Sequence, residues 1–141
     1  MTGVQTCALP ISEGNNLNNA RHANSSAGIQ TAAVTFGGTP SPNVLSEEYD
    51  GTSYTSGNSL NDTHWAVVGC GTQTAGIAVG GGPSTPTFST AVEEYNGTSW
   101  TAVTSTPVGA GYAGIAGVQT YLILQVGAQS HPSLYNTTAH G

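Results

Sequence analysis

There is no lysine among the 141 residues of this chain, and Arg21 is its single arginine. Neutralising phosphates takes several Lys or Arg side chains on one face, so nucleic acid is excluded as a partner. The acids are Glu13, Glu47, Glu48, Asp50, Asp62, Glu93 and Glu94, and the formal net charge is −6. That balance also argues against docking on an anionic membrane. Long apolar runs are missing too. The longest, YLILQV from Tyr121 to Val126, has the length of a strand and not the ~20 residues of a membrane-spanning helix. Helix signals are absent: Gly and β-branched residues are dense, and no apolar stripe recurs at three and four. Cysteine is limited to Cys7 and Cys70.

What the chain has is repetition. GIQTAAVTFGG (28–38) returns as GTQTAGIAVGG (71–81), and a weaker third copy, GVQTYLILQVG, covers 117–127. EEYDGTSYT from Glu47 answers to EEYNGTSWT from Glu93. The period is therefore 43 to 46 residues, and the length difference lies between the diglycine and the glutamate pair. TPSPNVLS there is shorter than GPSTPTFSTAV, which marks a surface loop. Each period reads as four short strands. Asp50-Gly51 and Asn96-Gly97 supply the tight turn before the last strand, since Gly and Asn accept positive φ. Four antiparallel strands at this spacing predict an all-β chain of propeller blades.

A diglycine closing the second strand, an acidic-Tyr pair, and an aromatic after a short turn resemble the kelch repeat. The matching positions are Gly37, Gly38, Tyr49 and Tyr54, then Gly80, Gly81, Tyr95 and Trp100. Arg21 falls near the family's basic position before the first strand, and His64 stands there in the second copy. The resemblance covers residues 12 to about 127 and implies a kelch-like β-propeller fragment, an open ring of four-stranded blades. GTQTAG, GG and EEYNGTSW are also similar to repeat arrays of viral tail-fibre and cell-surface proteins. On this division, 12–19 end a preceding blade, 20–62 and 63–108 are blades, and 109–141 are a partial blade. The remaining blades would belong to the same longer polypeptide.

Residues 1–11 do not share the pattern. SEGNNLNNA (12–20) aligns with TSGNSLNDT (55–63), so the repeat begins at Ser12. Signal-peptide features are missing: there is no basic start and no apolar core of sufficient length. TGVQTCALPI instead resembles a translated sequencing adapter, and the expectation is that Met1 to Ile11, Cys7 included, are artefactual. Cys70 is then alone, with no intrachain disulfide to form.

The candidate chemical motifs read as structural. Gly109, Gly111 and Gly114 spell G-x-G-x-x-G, but no helix follows and no acid comes after Glu94 to hold a ribose. Glu47-Glu48 and Glu93-Glu94 point to opposite faces of a strand, so neither pair clasps one substrate. His22, His64, His131 and His140 show no metal-ligand spacing, and no Ser elbow is present. Some kelch-type oxidases hold copper with Tyr and His, but no arrangement here singles out such a site. The expectation is a protein without catalytic residues, cofactor or metal. Asn24, Asn61, Asn96 and Asn136 fit the glycosylation pattern, at a frequency expected in so Asn- and Thr-rich a chain. Trp65, Trp100, Tyr49, Tyr54 and Tyr95 are the large anchors.

The functional expectation is a binding or structural module that meets a protein or glycan through inter-strand loops. The candidate residues are Thr39, Ser41 and Asn43 in one loop, and Ser84, Thr85 and Thr87 in the other. Alternatives are a viral fibre or surface-adhesion spacer array, and an enzyme whose catalytic residues lie in further blades. An extracellular or virion-surface location suits the composition.

Overall fold

The computed structural model describes residues 14–82 and 88–125 and the strand Leu134–Thr137. The adapter-like segment 1–11 and loop residues Ser84, Thr85 and Thr87 lie outside the described residues. The protein is all-β, and no helix occurs among the described residues. Three antiparallel sheets follow one another along the chain. The first holds β1 (Ser25–Ile29), β2 (Ala32–Phe36), β3 (Ser46–Tyr49) and β4 (Tyr54–Ser56) in sequential order. The second repeats this with β5 (Val68–Thr72), β6 (Ala75–Val79), β7 (Val92–Tyr95) and β8 (Trp100–Val103). The third is three-stranded, with β9 (Gly114–Val118), β10 (Tyr121–Gln125) and β11 (Leu134–Thr137).

The turns form where the sequence places them. Gly51 and Gly97 have φ of 92° and 88°. Asp50 Oδ1 accepts from the N–H groups of Thr52 and Ser53, both at 2.8 Å, and Asn96 Oδ1 accepts from Thr98 and Ser99 at 2.9 Å. An Asx side chain thus holds each turn shut while Gly supplies the positive φ. Tyr49 then pairs with Tyr54, and Tyr95 with Trp100.

The sheets pack face to face through two apolar layers. Between the first and second lie Ala27, Val34, Phe36, Leu60, Val67, Ala78, Tyr95 and Trp100. Between the second and third lie Val68, Ile77, Val79, Val92, Ala110, Leu122 and Leu124. The strand period of two explains the division. Gly76 and Ala78 face backwards and leave room for Tyr95 and Trp100, while Ile77 and Val79 face forwards. In the third sheet Leu122 and Leu124 occupy the positions of that Gly and Ala and fill the layer themselves. The opening strands β1, β5 and β9 lie side by side.

Candidate functional site

The repeat motifs turn out to be the parts of the joint between sheets. In the first diglycine, Gly38 N–H donates to His64 O at 2.7 Å; in the second, Gly81 N–H donates to Ala110 O at 2.5 Å. The four glycines have φ between 66° and 87°. A Cβ on Gly37 would sit 2.6 Å from His64 O, and one on Gly80 would overlap Ala110 O. Only glycine permits both the left-handed backbone and this approach. The Gln of the second and third Gln-Thr pairs reaches back to the preceding sheet. Gln73 Nε2 donates to Tyr49 O at 2.9 Å and Ala33 O at 3.2 Å, and Gln119 Nε2 to Gly76 O at 3.2 Å and Tyr95 O at 3.3 Å.

The glutamate pairs divide their work. Glu47 and Glu93 are fully buried. Arg21 donates to Glu47 at 2.8 Å and to Leu45 O at 2.8 Å. His64 takes the equivalent place, with Nε2 3.0 Å from Glu93 and Nδ1 2.5 Å from Gly80 O. Each ring nitrogen faces an acceptor, so the imidazole fills the place where the first unit uses a guanidinium. Glu93 also accepts from Asn61 and Asp62 N–H, as Glu47 does from Asn18 and Asn19. The second glutamate faces the other way, and Glu48 accepts the Tyr95 hydroxyl across the joint. The sequence placed His64 in Arg21's register without saying what it bonds, and that register was the signal that it belongs in the core.

Burial pushes both carboxyls up, but their donors outweigh it. Asn18, Asn19 and Arg21 hold Glu47 below its ordinary value of 4.5, and His64, Asn61 and Asp62 do the same for Glu93. The stabilisation this linkage supplies is present above about pH 4.5 and is lost as pH falls through the lowered folded-state values. Urea midpoints should therefore drop between pH 5 and pH 3, with a shallower drop in Glu93→Gln. Identical profiles for parent and variant would remove Glu93 from the acid response.

The loop TPSPNVLS is less free than its composition promises. Thr39 exchanges both backbone hydrogen bonds with His22, at 2.8 and 2.9 Å. Asn43 O accepts from His64 N, Val44 O from Leu60 N, and Leu45 O from Gly37 N. Asn43 is therefore part of the joint, and the tip is Pro40, Ser41 and Pro42, all exposed. Ser41 lines a cleft with Asn18, Asn19, Arg21, Gly37 and Leu45. The second loop leaves from the matching place, because Trp65 and Gly82 exchange backbone hydrogen bonds as His22 and Thr39 do. Both candidate loops therefore spring from equivalent points on the stack.

Sequence reasoning missed an aromatic cluster flanking the second loop. Trp65 meets Tyr112 edge to face at 5.5 Å, and Phe88 meets Tyr112 at 6.0 Å. Phe88 lies over Gly109 and Gly111, where added Cβ atoms would strike it. That contact accounts for two glycines of the G-x-G-x-x-G string without any phosphate. Ala23, Ala66 and Tyr112 share one repeat position and φ of 55°, 53° and 51°. Ala66 N–H donates to Ala23 O and Tyr112 N–H to Ala66 O, which fixes this backbone in successive sheets. Two units put Ala there; the third puts a Tyr that is 64% exposed. The clue in the sequence was that Trp65 and Tyr112 break the repeat.

No protein-family model matches the chain, and no curated protein matches it significantly. The site must be judged on its chemistry. Among the described residues no three His, Cys, Asp or Glu side chains converge as a metal-binding group. Burial raises the Cys70 thiol, which disfavours the reactive thiolate. Asn61 spends its amide nitrogen on Glu93 and Trp100 O, whereas Asn96 is exposed and commits only its Oδ1 to the turn.

Proposed function

We propose that this chain is a non-catalytic binding module of a kelch-like β-propeller, with the sheets as blades and the ring completed by blades stacked in the same way, whichever chain supplies them. Side-by-side opening strands and face-to-face sheets support the propeller reading. The binding surface is the loop end carrying Pro40–Pro42 and the cluster of Trp65, Phe88 and Tyr112. One observation carries this assignment: Tyr112 is bulky, exposed and held at positive φ where the other units have Ala. A large side chain in that backbone region is an outlier, and such outliers concentrate at functional sites.

The ligand class follows from charge and composition. Aromatic rings beside hydroxyl- and amide-rich loops, with the single Arg buried, suit a neutral carbohydrate and not a polyanion. The test is a neutral-glycan array probed with the parent and with Tyr112→Ala. The variant restores the residue of the other two units, so its unfolding midpoint should stay within about 0.5 kcal/mol of the parent's. Glycan binding should weaken at least about tenfold. A parent that binds no neutral glycan would sink the carbohydrate assignment, and retention of a protein partner by the parent alone would replace it.

A further inference from the structure

The two outer faces of the stack carry the two halves of its own internal joint. In the first joint the second sheet brings Tyr95, Trp100 and Gln73, and the first sheet receives them with Val34, Phe36 and the carbonyls of Ala33 and Tyr49. One repeat earlier, the rear face of the first sheet presents Tyr49, Tyr54 and Gln30 in the same order. There Tyr49 and Tyr54 stack at 4.7 Å, as Tyr95 and Trp100 do at 4.8 Å. Inside the joint that pair is 1% and 5% exposed. On the rear face both tyrosines are half-buried and Gln30 is exposed, beside a shallow cleft that also includes Gly51 and Thr52.

The front face of the third sheet is the complementary half. Register places Ile123 where Ile77 stands in the second sheet; Ile77 is 4% exposed, whereas Ile123 is 56% and Tyr121 is 63%. The carbonyls equivalent to Gly76 and Tyr95, which Gln119 grips, are those of Leu122 and Thr137.

We propose that a second copy of this chain seats the rear face of its first sheet on the front face of the third sheet, head to tail. Gln30 of one copy reaches Leu122 O and Thr137 O of the other, and Tyr49 and Tyr54 cover Ile123. The contact is heterologous: each copy offers two different surfaces, so association continues until a ring closes or a filament grows. Docking of this kind depends on the sheet stacking proposed above and not on the ligand at the loop end.

Sedimentation velocity over a concentration series tests it with the full chain. The parent should associate beyond its 14.1 kDa monomer mass as concentration rises. Gln30→Glu sets a carboxylate against the two carbonyls, and Ile123→Asp places a charge on the opposite face. Each variant alone should associate at least about tenfold more weakly. Mixed one to one they should form a complex of two chains and nothing larger, because each retains the surface the other lacks. Ile123→Thr replaces Ile123→Asp if the β-sheet circular dichroism spectrum changes. A parent that stays monomeric, a mixture that stays monomeric, or a Gln30→Glu variant that self-associates like the parent would overturn the proposal. Neutral-glycan binding measured on the same samples reports separately on the loop-end assignment.

Discussion

Glu93→Ala should lower stability by about 3–5 kcal/mol, the range for removing one partner of a buried pair. Glu93 is 1% exposed and faces four donors: His64 Nε2, the backbone N–H groups of Asn61 and Asp62, and the Asn61 amide. Truncation leaves the buried His64 Nε2 without its acceptor and takes one from the part-buried N–H groups of Asn61 and Asp62, and the unmet groups outweigh the lost contact. Glu93→Gln keeps the shape and one acceptor oxygen, so its loss should be smaller. Glu94→Ala, on the opposite face of the same strand, should lose less again. Urea denaturation at pH 7 ranks the three. Should Glu93→Ala and Glu94→Ala unfold at one midpoint, the buried network does not hold the second sheet.

Trp100→Ala should cost about 3–5 kcal/mol, the usual price of emptying a large aromatic site. The indole is 5% exposed, meets Phe36 edge to face at 4.8 Å and lies 4.8 Å from Tyr95. It therefore belongs to the layer that joins the first and second sheets, and its removal opens a cavity both sheets line. Trp100→Phe should be milder, because the Trp100 Nε1 hydrogen is buried with no partner among the described residues. Removing that donor relieves part of what the lost ring volume costs. A Trp100→Ala protein with the parent's midpoint but impaired ligand binding would make the indole a binding platform.

Much of this architecture was legible because the repeat recorded it twice. The diglycines, Gln-Thr pairs and Glu-Glu-Tyr triplets located the strands and turns, and the strand period of two assigned the two glutamates to opposite faces. Their chemistry was not legible in the same way. That Glu47 and Glu93 are buried follows from what surrounds them, and Asn18, Asn61 and His64 lie far away in sequence. The candidate loop was visible as a length difference, yet Asn43 proved to be held by His64 N–H. An insertion shows where length is tolerated, not how much of the segment is free. Tyr112 breaks the repeat in the sequence, but what the break means shows only once the positive φ shared with Ala23 and Ala66 is known.

The segment after β4 has a consequence for how such a chain is inherited and cut. Having left the first sheet, the chain sends the Asn58 side-chain amide to Thr98 O, Leu60 enters the core beside Trp100, and Asn61 and Asp62 cap Glu93. Residues 14–19 do the same for the first sheet through Thr52, Tyr54 and Glu47. A module that carries its own supports thus starts seven residues before the Arg21 or His64 position, at Gly14 or Gly57, out of phase with a division drawn at 62/63. A recombination joint near Ser56–Gly57 would hand over a sheet with its supports intact. One drawn at the visible repeat would strand a glutamate from the asparagine that completes it.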